Sequence, residues 1–442
     1  LQDLRYSVRV LRASPGFTLV AVLSLALGIG ANTAVFTVVN ALLLRSLPVR
    51  DPQDLVIVHS STKSGVKGIS RRNSNDRTDP KTGRPTNNTF SSDMLREFRT
   101  RSSDVLEVFG FFSPGRVGVV ADDTSSMAYA TVVSGNYFDG LGVPMALGRP
   151  LVESDDQPGA STVVVTYNFW QRSLSADAAI LGRELRVNSA PMTVVGVTAP
   201  GFTGISAGGF DGPVDVFAPL NAVEALSPGR FRSGKPRTAP DLWWIQLMAR
   251  RKRGVTDQLA TARLTSVFQA TLRDSGVAAL QNAEDPKIVL APGDRGLDSL
   301  RRRIERPVLV LFGVVSVVLL LACVNVANLL VARATARERE MAVRLSLGAG
   351  RGRIIRQLLT ENLFLSVLGA SLGLLLSVWG AHLVASLLTV SSERVELNLT
   401  LDLRVLAFTV LASLLTGVVF GLTPALQATR VDIAPNLKQN VS

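Results

Sequence analysis

The sequence has 442 residues, 47% of them hydrophobic but only 6% aromatic, and carries 47 Lys and Arg against 35 Asp and Glu for a formal net charge of +12. The apolar share points to a membrane protein rather than to two or three soluble domains, and the basic excess has to be placed before nucleic acid is invoked. One cysteine, Cys323, excludes an intrachain disulfide framework, and with only His59 and His382 the chain lacks the residues for a Cys/His zinc site or a two-His metalloprotease helix.

Residues 1–16 form a short amphipathic N-terminal segment bearing Arg5, Arg9 and Arg12. No charged residue then occurs over 17–44, 307–332, 363–389 or 405–426. About 20 apolar residues, each rising about 1.5 Å, cross a hydrocarbon core of about 30 Å, so each run predicts a transmembrane helix. The first is too long for a secretory signal core and reads as a retained anchor.

Arginine in the short connections sets the expected orientation. Arg333, Arg337, Arg339, Arg344, Arg351, Arg353 and Arg356 crowd the 333–362 connection, whereas the arginines of the 390–404 connection are Arg394 and Arg404. Both termini, including the 427–442 tail, and the 333–362 loop are therefore expected on the cytoplasmic side, with residues 45–306 outside. Arg301, Arg302, Arg303 and Arg306 stand just outside the second span, against the charge rule. A helix continuing outward as a stalk would hold them in water. Topology thus accounts for most of the basic excess, and without a recognition module no nucleic-acid partner is expected.

Within 45–306 the sequence turns soluble. The strand-like DLVIVHS precedes a polar stretch from Ser60 to Thr89, rich in Ser, Asn, Arg, Pro and Gly, that reads as a mobile loop. Met94, Leu95 and Phe98, then Val105 and Leu106, fall at helical intervals broken near Ser102, predicting a helix and a turn. The β-branched runs RVGVVADD, MAYATVVSG, STVVVTYNFW, ELRVNSAPMTVVGVTAP and VDVFAPL indicate a β-rich insert over about 116–220. In LWWIQLMARRKRGVTDQLATARLTSVFQATL a strand gives way at Gly254 to an amphipathic helix through Leu259, Ala262, Leu264 and Phe268. The expected fold is an α-helical membrane protein with four transmembrane helices and a large α+β extracytoplasmic domain inserted between helices 1 and 2.

Gly229, Gly234 and Lys235 imitate a phosphate loop, but Pro236 replaces the hydroxyl residue that would reach magnesium, and no strand precedes it. The stretch reads as a basic loop, and no ATP hydrolysis is expected of this chain. A conventional hydrolase triad needs a histidine, and neither His59 nor His382 has an acid or nucleophile in register, so no catalytic residue is assigned. His382 beside Trp379 reads as an interfacial anchor. The spans lack Asp, Glu, Lys and Arg, which disfavours an ion-coupled carrier. Their Asn32, Asn40, Asn325 and Asn328 read as interhelical glue worth about 1 kcal/mol each. Gly369 with Gly373, Gly417 with Gly421, and Ala26 with Gly28, Gly30 and Ala34 make small-residue faces for helix packing, within the chain or between copies.

In the 333–362 loop Glu340 and Arg344 are four apart and pair on one helical face, Met341 and Leu345 share another, and Gly348 is placed as a left-handed stop. The result is a short amphipathic helix suited either to a partner or to the membrane surface. Through Arg339, Glu340, Ala342, Arg344, Gly348, Ala349 and Arg351, with Glu361 opening the next span, the loop resembles the signature of the FtsX-like and MacB-type permeases of ATP-binding-cassette (ABC) systems. The resemblance runs over nearly the whole chain, through the opening LRYSVRVL, VVSGNYFDGLGVPMALGRPL and the closing FGLTPALQATRVDIAPNLK. The strings SPGFT and LALGIGANTAVF are similar to acidobacterial-type duplicated orphan permeases, of which this chain would hold one four-span unit.

The resemblance implies a MacB-like periplasmic core domain followed by an FtsX-like permease domain over 307–442, in a bacterial inner membrane. It implies an ABC ATPase subunit that clamps on Arg337, Arg339, Glu340, Met341, Arg344, Leu345, Gly348, Ala349 and Arg351, so that ATP acts through that partner and no cofactor or metal is bound directly. Pairing as a homodimer or with a second permease unit, and contact with a periplasmic adaptor or an outer-membrane channel, come with it. The implied function is export or mechanotransmission with the substrate unspecified. The other reading is a motorless orphan that acts as a scaffold or regulates a periplasmic partner.

Overall fold

The computed structural model describes residues 9, 14–66, 69–72, 77–79, 82–122, 124–159, 161–205, 213–229, 236–297, 299–336, 351–388 and 403–428. The chain divides into a helical unit (Leu1–Leu44, Arg301–Ser391, Leu397–Ser442) and a second unit (Arg45–Leu300, Ser392–Glu396). The first element, α1 (Pro15–Val39), starts on a proline whose fixed φ suits a first helical turn, and it ends in a π-helical turn over Asn40–Leu44.

The second unit opens with β1 (Leu55–Ser61), β2 (Pro85–Asn87), β3 (Thr89–Phe90) and α2 (Ser92–Arg101). Ser91 caps α2 by accepting from the Met94 N–H at 3.3 Å. A long antiparallel hairpin follows, β4 (Leu106–Ala121) and β5 (Thr124–Val133). Then come α3 (Tyr137–Leu141), β6 (Met145–Gly148), β7 (Thr162–Val165), α4 (Tyr167–Ser173), β8 (Glu184–Val187), β9 (Ala190–Thr198), β10 (Val216–Pro219), β11 (Ile245–Arg251), α5 (Asp257–Asp274) and β12 (Lys287–Pro292).

Three local expectations shift. The polar stretch from Ser60 to Thr89 is partly strand: β2 pairs with β1 through Ser60 and Asn87, and Arg84 ion-pairs with Asp285 at 2.6 Å, so its polar groups are met at a sheet edge. Leu106 begins a strand rather than extending a helical pattern, because Ser102 closes α2 and the aromatic run after it favours a pleated surface. STVVVTYNFW is strand only to Val165, where Thr166 accepts from the Phe169 N–H and starts α4.

The strands β8-β9-β7-β10-β5-β4 are hydrogen-bonded in that order, and β8 pairs again with β4 through Arg186 and Val120, which closes six strands into a small barrel. Its interior is an alternating set: Val117 and Val119, Ala128 and Ala130, Val163 and Val165, Leu185 and Val187, Val216 and Ala218. β4 then runs on into an open sheet through β11 and β1, with β12 on the far side of β1. There Leu106 and Val108 face α2 and α5, packing with Phe98, Leu264 and Phe268, while Phe109 and Phe111 face Tyr137 and Phe138 of α3. The even positions of β4 thus point to the first core, yet beyond Gly115 it is the odd ones that do. A register shift between Phe112 and Gly115 accounts for the change, since one unmatched step moves every later side chain to the opposite face.

The helical unit adds α6 (Ser299–Ala336), α7 (Arg351–Leu388) and α8 (Leu403–Ala428). α6 is one helix through Arg301–Arg306 and across Pro307 into the apolar run, so the arginine cluster lies on a helical extension of that run. Pro15–Val39, Glu305–Ala332 and Leu359–Val384 are long and apolar enough to cross a membrane, whereas the described apolar part of α8, Leu403–Val418, is shorter. α1 is the innermost of the spans, with 56% of its apolar window buried against 11% for α6. Trp379 and His382 are exposed on α7.

Candidate functional site

The residues assigned to ATPase coupling from Arg337 to Ala349 lie outside the described residues, and Arg351 is placed only as the first position of α7. What is described is their frame, α6 ending at Ala336 and α7 starting at Arg351. Glu361 is buried on α7, at 5% exposure, with a polar neighbour. Residues 230–235 of the basic loop also fall outside the described set.

The small residues bring the helices together within the chain. A Cβ built on Gly30 would lie 2.9 Å from the Gly373 carbonyl oxygen, so α1 and α7 cross backbone to backbone at this pair. Gly369 abuts Leu25 and Gly380 abuts Ala34 along the same seam, Gly28 admits Leu319 of α6, and Gly417 of α8 faces Ser366 of α7. Gly421 is placed only as a position on α8.

Polar groups lock the crossings. Asn32 Nδ2 donates to Val315 O at 2.7 Å and to Gly28 O at 3.0 Å, while its Oδ1 accepts from Ser316 Oγ at 3.2 Å. The Thr33 and Thr409 hydroxyls meet at 3.1 Å, and Phe36 stacks on Phe408 at 4.2 Å, which ties α1 to α8. α1 therefore contacts each of α6, α7 and α8. The asparagine was legible as interhelical glue, but its partners, 283 and 284 residues away, were not.

In the second unit a groove of about 810 Å³ runs between α2, the first residues of β4 and the segments around Asp156 and Asn221. Arg96 and Arg99 project from α2, and Arg237 and Lys252 also line it. The groove brings together residues far apart in sequence, and no motif announced it. Asp156 Oδ1 accepts from the Asn221 N–H at 2.9 Å and from Asn221 Nδ2 at 3.1 Å, while burial pushes its carboxyl above the usual carboxylate range. Its neighbour Asp155 goes the other way. Arg149 donates to both its oxygens, at 2.6 and 2.9 Å, and together with the Val152 N–H holds the carboxyl below that range.

Beneath α3 the buried Arg250 of β11 donates to four backbone carbonyls, those of Arg50, Asp51, Gly140 and Leu141, at 2.6 to 3.0 Å. Desolvation lowers its pKa, yet the planar fork satisfies carbonyls that the end of a helix and a turn leave open. A charge inside the alternating strand IQLMARR was the available signal for such a residue. Among the described residues no group of three or more His, Cys, Asp or Glu side chains could hold a metal ion.

Apolar helices locked by small residues and asparagine, with a barrel-bearing α+β domain inserted after the first of them, define a membrane protein of permease type. The MacB-like periplasmic core domain family matches residues 18–267 and the FtsX-like permease C-terminal family matches residues 312–433. The chain belongs to the MacB/FtsX-like family of ABC permeases. It is similar to a probable export ATP-binding/permease protein of Pseudomonas fluorescens (strain Pf0-1), 26% identical over 309 residues that cover 68% of this chain and 41% of that protein. It is likewise similar to the macrolide export ATP-binding/permease protein MacB of Hahella chejuensis, 26% identical over 302 residues, again 68% and 41%. The chain thus spans about 41% of the length of these curated relatives. Among solved structures it is similar to the periplasmic region of MacB from Actinobacillus actinomycetemcomitans, with 16% identity, a TM-score of 0.36, and coverage of 56% of this chain and 92% of that one.

Proposed function

We propose that this chain is the permease subunit of an ABC-type export or mechanotransmission system, in which a separate cytoplasmic ATPase works on the 337–351 loop and moves the inserted domain. The observation that supports this best is the pair of family matches, over residues 18–267 and 312–433, together with the long helices α6 and α7 that flank the loop. The i, i+4 spacings of Glu340 with Arg344 and of Met341 with Leu345 would, on a helix, offer an ATPase both charge and apolar surface. ATP enters the cycle through that partner, and two permease units pair around it. Both termini and the loop face the cytoplasm, and the inserted domain faces the periplasm. An adaptor or outer-membrane channel completes the route outward.

The test is a mild-detergent pull-down of the full chain from native membranes, with a crosslinker at Arg344, reading whether a nucleotide-binding subunit is recovered and whether the chain changes its ATPase rate. Glu340→Lys combined with Arg344→Glu is expected to abolish recovery and leave membrane insertion intact. Unchanged recovery would remove the coupling role. Absence of any ATPase, with the protein intact, would favour the motorless scaffold.

A further inference from the structure

The four helices of the helical unit meet around one small cavity. Leu25 of α1, Cys323 of α6, Asn362 and Ser366 of α7 and Thr416 of α8 line it. Its volume, about 10 Å³ counted as room for the centre of a water-sized sphere, is that of a single water molecule. Gly417 of α8 borders the same space, and a Cβ on it would lie 2.9 Å from Ser366 Oγ, so the missing side chain keeps the cavity open.

Two oxygens here call for a donor. Asn362 is only 6% exposed, and its Oδ1 has no hydrogen-bond partner among the described residues. An amide oxygen can accept but not donate. Thr416 is buried as well, and its proton is already committed, because Oγ1 donates to Ser413 O at 3.0 Å. Only lone pairs of that hydroxyl remain for the cavity. Ser413 in turn donates to Ser366 O at 3.1 Å, which holds α8 and α7 together beside the opening without answering Asn362. Surrounded by hydrocarbon, such an acceptor has no bulk solvent to turn to, so its partner has to be internal.

We propose that this cavity binds one water molecule, which donates to Asn362 Oδ1 and to Thr416 Oγ1 and lies against the Cys323 thiol. Apolar cavities of this size stay dry, whereas polar ones hold a water with two to four hydrogen-bond partners. The site asks for two donors on one uncharged atom of that size. An ammonium ion would also donate twice, but no Asp or Glu lines the cavity to balance its charge. The bound water therefore links α7 to α8 where a direct side-chain bond would otherwise stand, and a bridge of this kind is nearly as favourable as a direct one. The site lies wholly within the helical unit and does not rest on the coupling reading.

The experiment is X-ray radiolytic labelling of the full chain in nanodiscs, read by mass spectrometry of its peptides. Hydroxyl radicals formed from a bound water mark the side chain beside it even where bulk solvent has no access. Cys323, 1% exposed, is expected to oxidise with dose, whereas Met248, 0% exposed within the second unit, is not. Asn362→Leu removes the acceptor and fills the space with an apolar side chain, so the Cys323 label should be lost. Thr416→Val, which keeps the shape and removes the hydroxyl, should lower it. Met248 reports on folding, and if Asn362→Leu leaves it open to labelling, Thr416→Val decides by itself. No oxidation of Cys323 in the parent, or a folded variant that keeps the parent's label, would overturn the proposal. Since no ATPase takes part, the outcome is independent of the pull-down.

Discussion

Asn32 and Val315 join the innermost membrane helix to the most exposed one through a side-chain amide 2.7 Å from a backbone carbonyl. The carbonyl already belongs to the ladder of α6, so the bond adds an acceptor role without opening that helix. α6 is also anchored by Val308, Cys323 and Val326 and by Phe312 against Phe36, and the Asn32 contact adds a polar lock to that apolar seam.

Asn32→Leu is therefore expected to loosen α6 selectively. The change removes the donations to Gly28 and Val315 and the acceptance from Ser316, at a cost of about 1–2 kcal/mol in a membrane setting. Thermal unfolding of the full chain in detergent should show a lower midpoint, and a crosslink between cysteines placed on α1 and α6 should form less efficiently than in the parent.

At the Gly30–Gly373 crossing a side chain has nowhere to go. Gly30→Val places atoms against the Gly373 carbonyl and should destabilise the helical unit by about 1–3 kcal/mol. Gly313→Ala on α6 is the matched control, because a Cβ there meets nothing within 4 Å. If the two substitutions lowered the melting midpoint equally, close backbone approach would not be what the glycines supply.

Asp155 and Asp156 predict opposite pH signatures from adjacent positions. The carboxyl of Asp155 is depressed in the folded chain by Arg149, so its contribution is present above the usual carboxylate range and fades as pH falls through the lowered value. Asp156 is raised by burial. The unfolded chain ionises it first as pH rises, so the folded state loses stability across the interval between the usual and the raised value. Urea midpoints measured against pH should show Asp155→Asn destabilising at neutral pH and losing part of the acid dependence, while Asp156→Asn is neutral or stabilising there.

Orientation is testable with single cysteines in a Cys323→Ser background. Ser64→Cys, on an exposed turn of the inserted domain, should react with an impermeant thiol reagent on whole spheroplasts, and Thr335→Cys, near the end of α6, should not. The reverse pattern would invert the proposed topology.

The parts of the fold that were legible are those written in local composition. Uncharged runs marked α1, α6, α7 and α8, and alternating β-branched residues marked the strands around Val117, Val132, Val163 and Val194. Closure of the barrel was not legible, because it rests on the pairing of Arg186 with Val120, a long-range event that neither strand encodes alone. The parity change in β4 was hidden for a similar reason: SPG at 113–115 looks like a turn, and only its pairing with β5 makes it a bulge within one strand. The glycine faces could be read as packing surfaces from their spacing, but the choice of Gly373 as the partner of Gly30 depends on how α1 and α7 cross. The α2 groove left no local trace, since Arg99, Asn221 and Lys252 belong to segments that share no pattern.

The inserted domain begins and ends at one place. The Leu47 N–H donates to Asp294 O at 2.9 Å, and the Gly293 N–H donates to Leu55 O at 2.8 Å. A segment whose two ends are bonded to each other behaves as a closed loop, so the entropy of closing it is absorbed when the domain itself folds. The sequence between the two ends can then lengthen, shorten or be exchanged for another fold of similar footprint, while the junctions to the helical unit stay a hydrogen bond apart. Such an arrangement would let one membrane scaffold carry different outer modules by cassette replacement, and a short flexible bridge from Leu47 to Asp294 should suffice to join the helical unit in its absence.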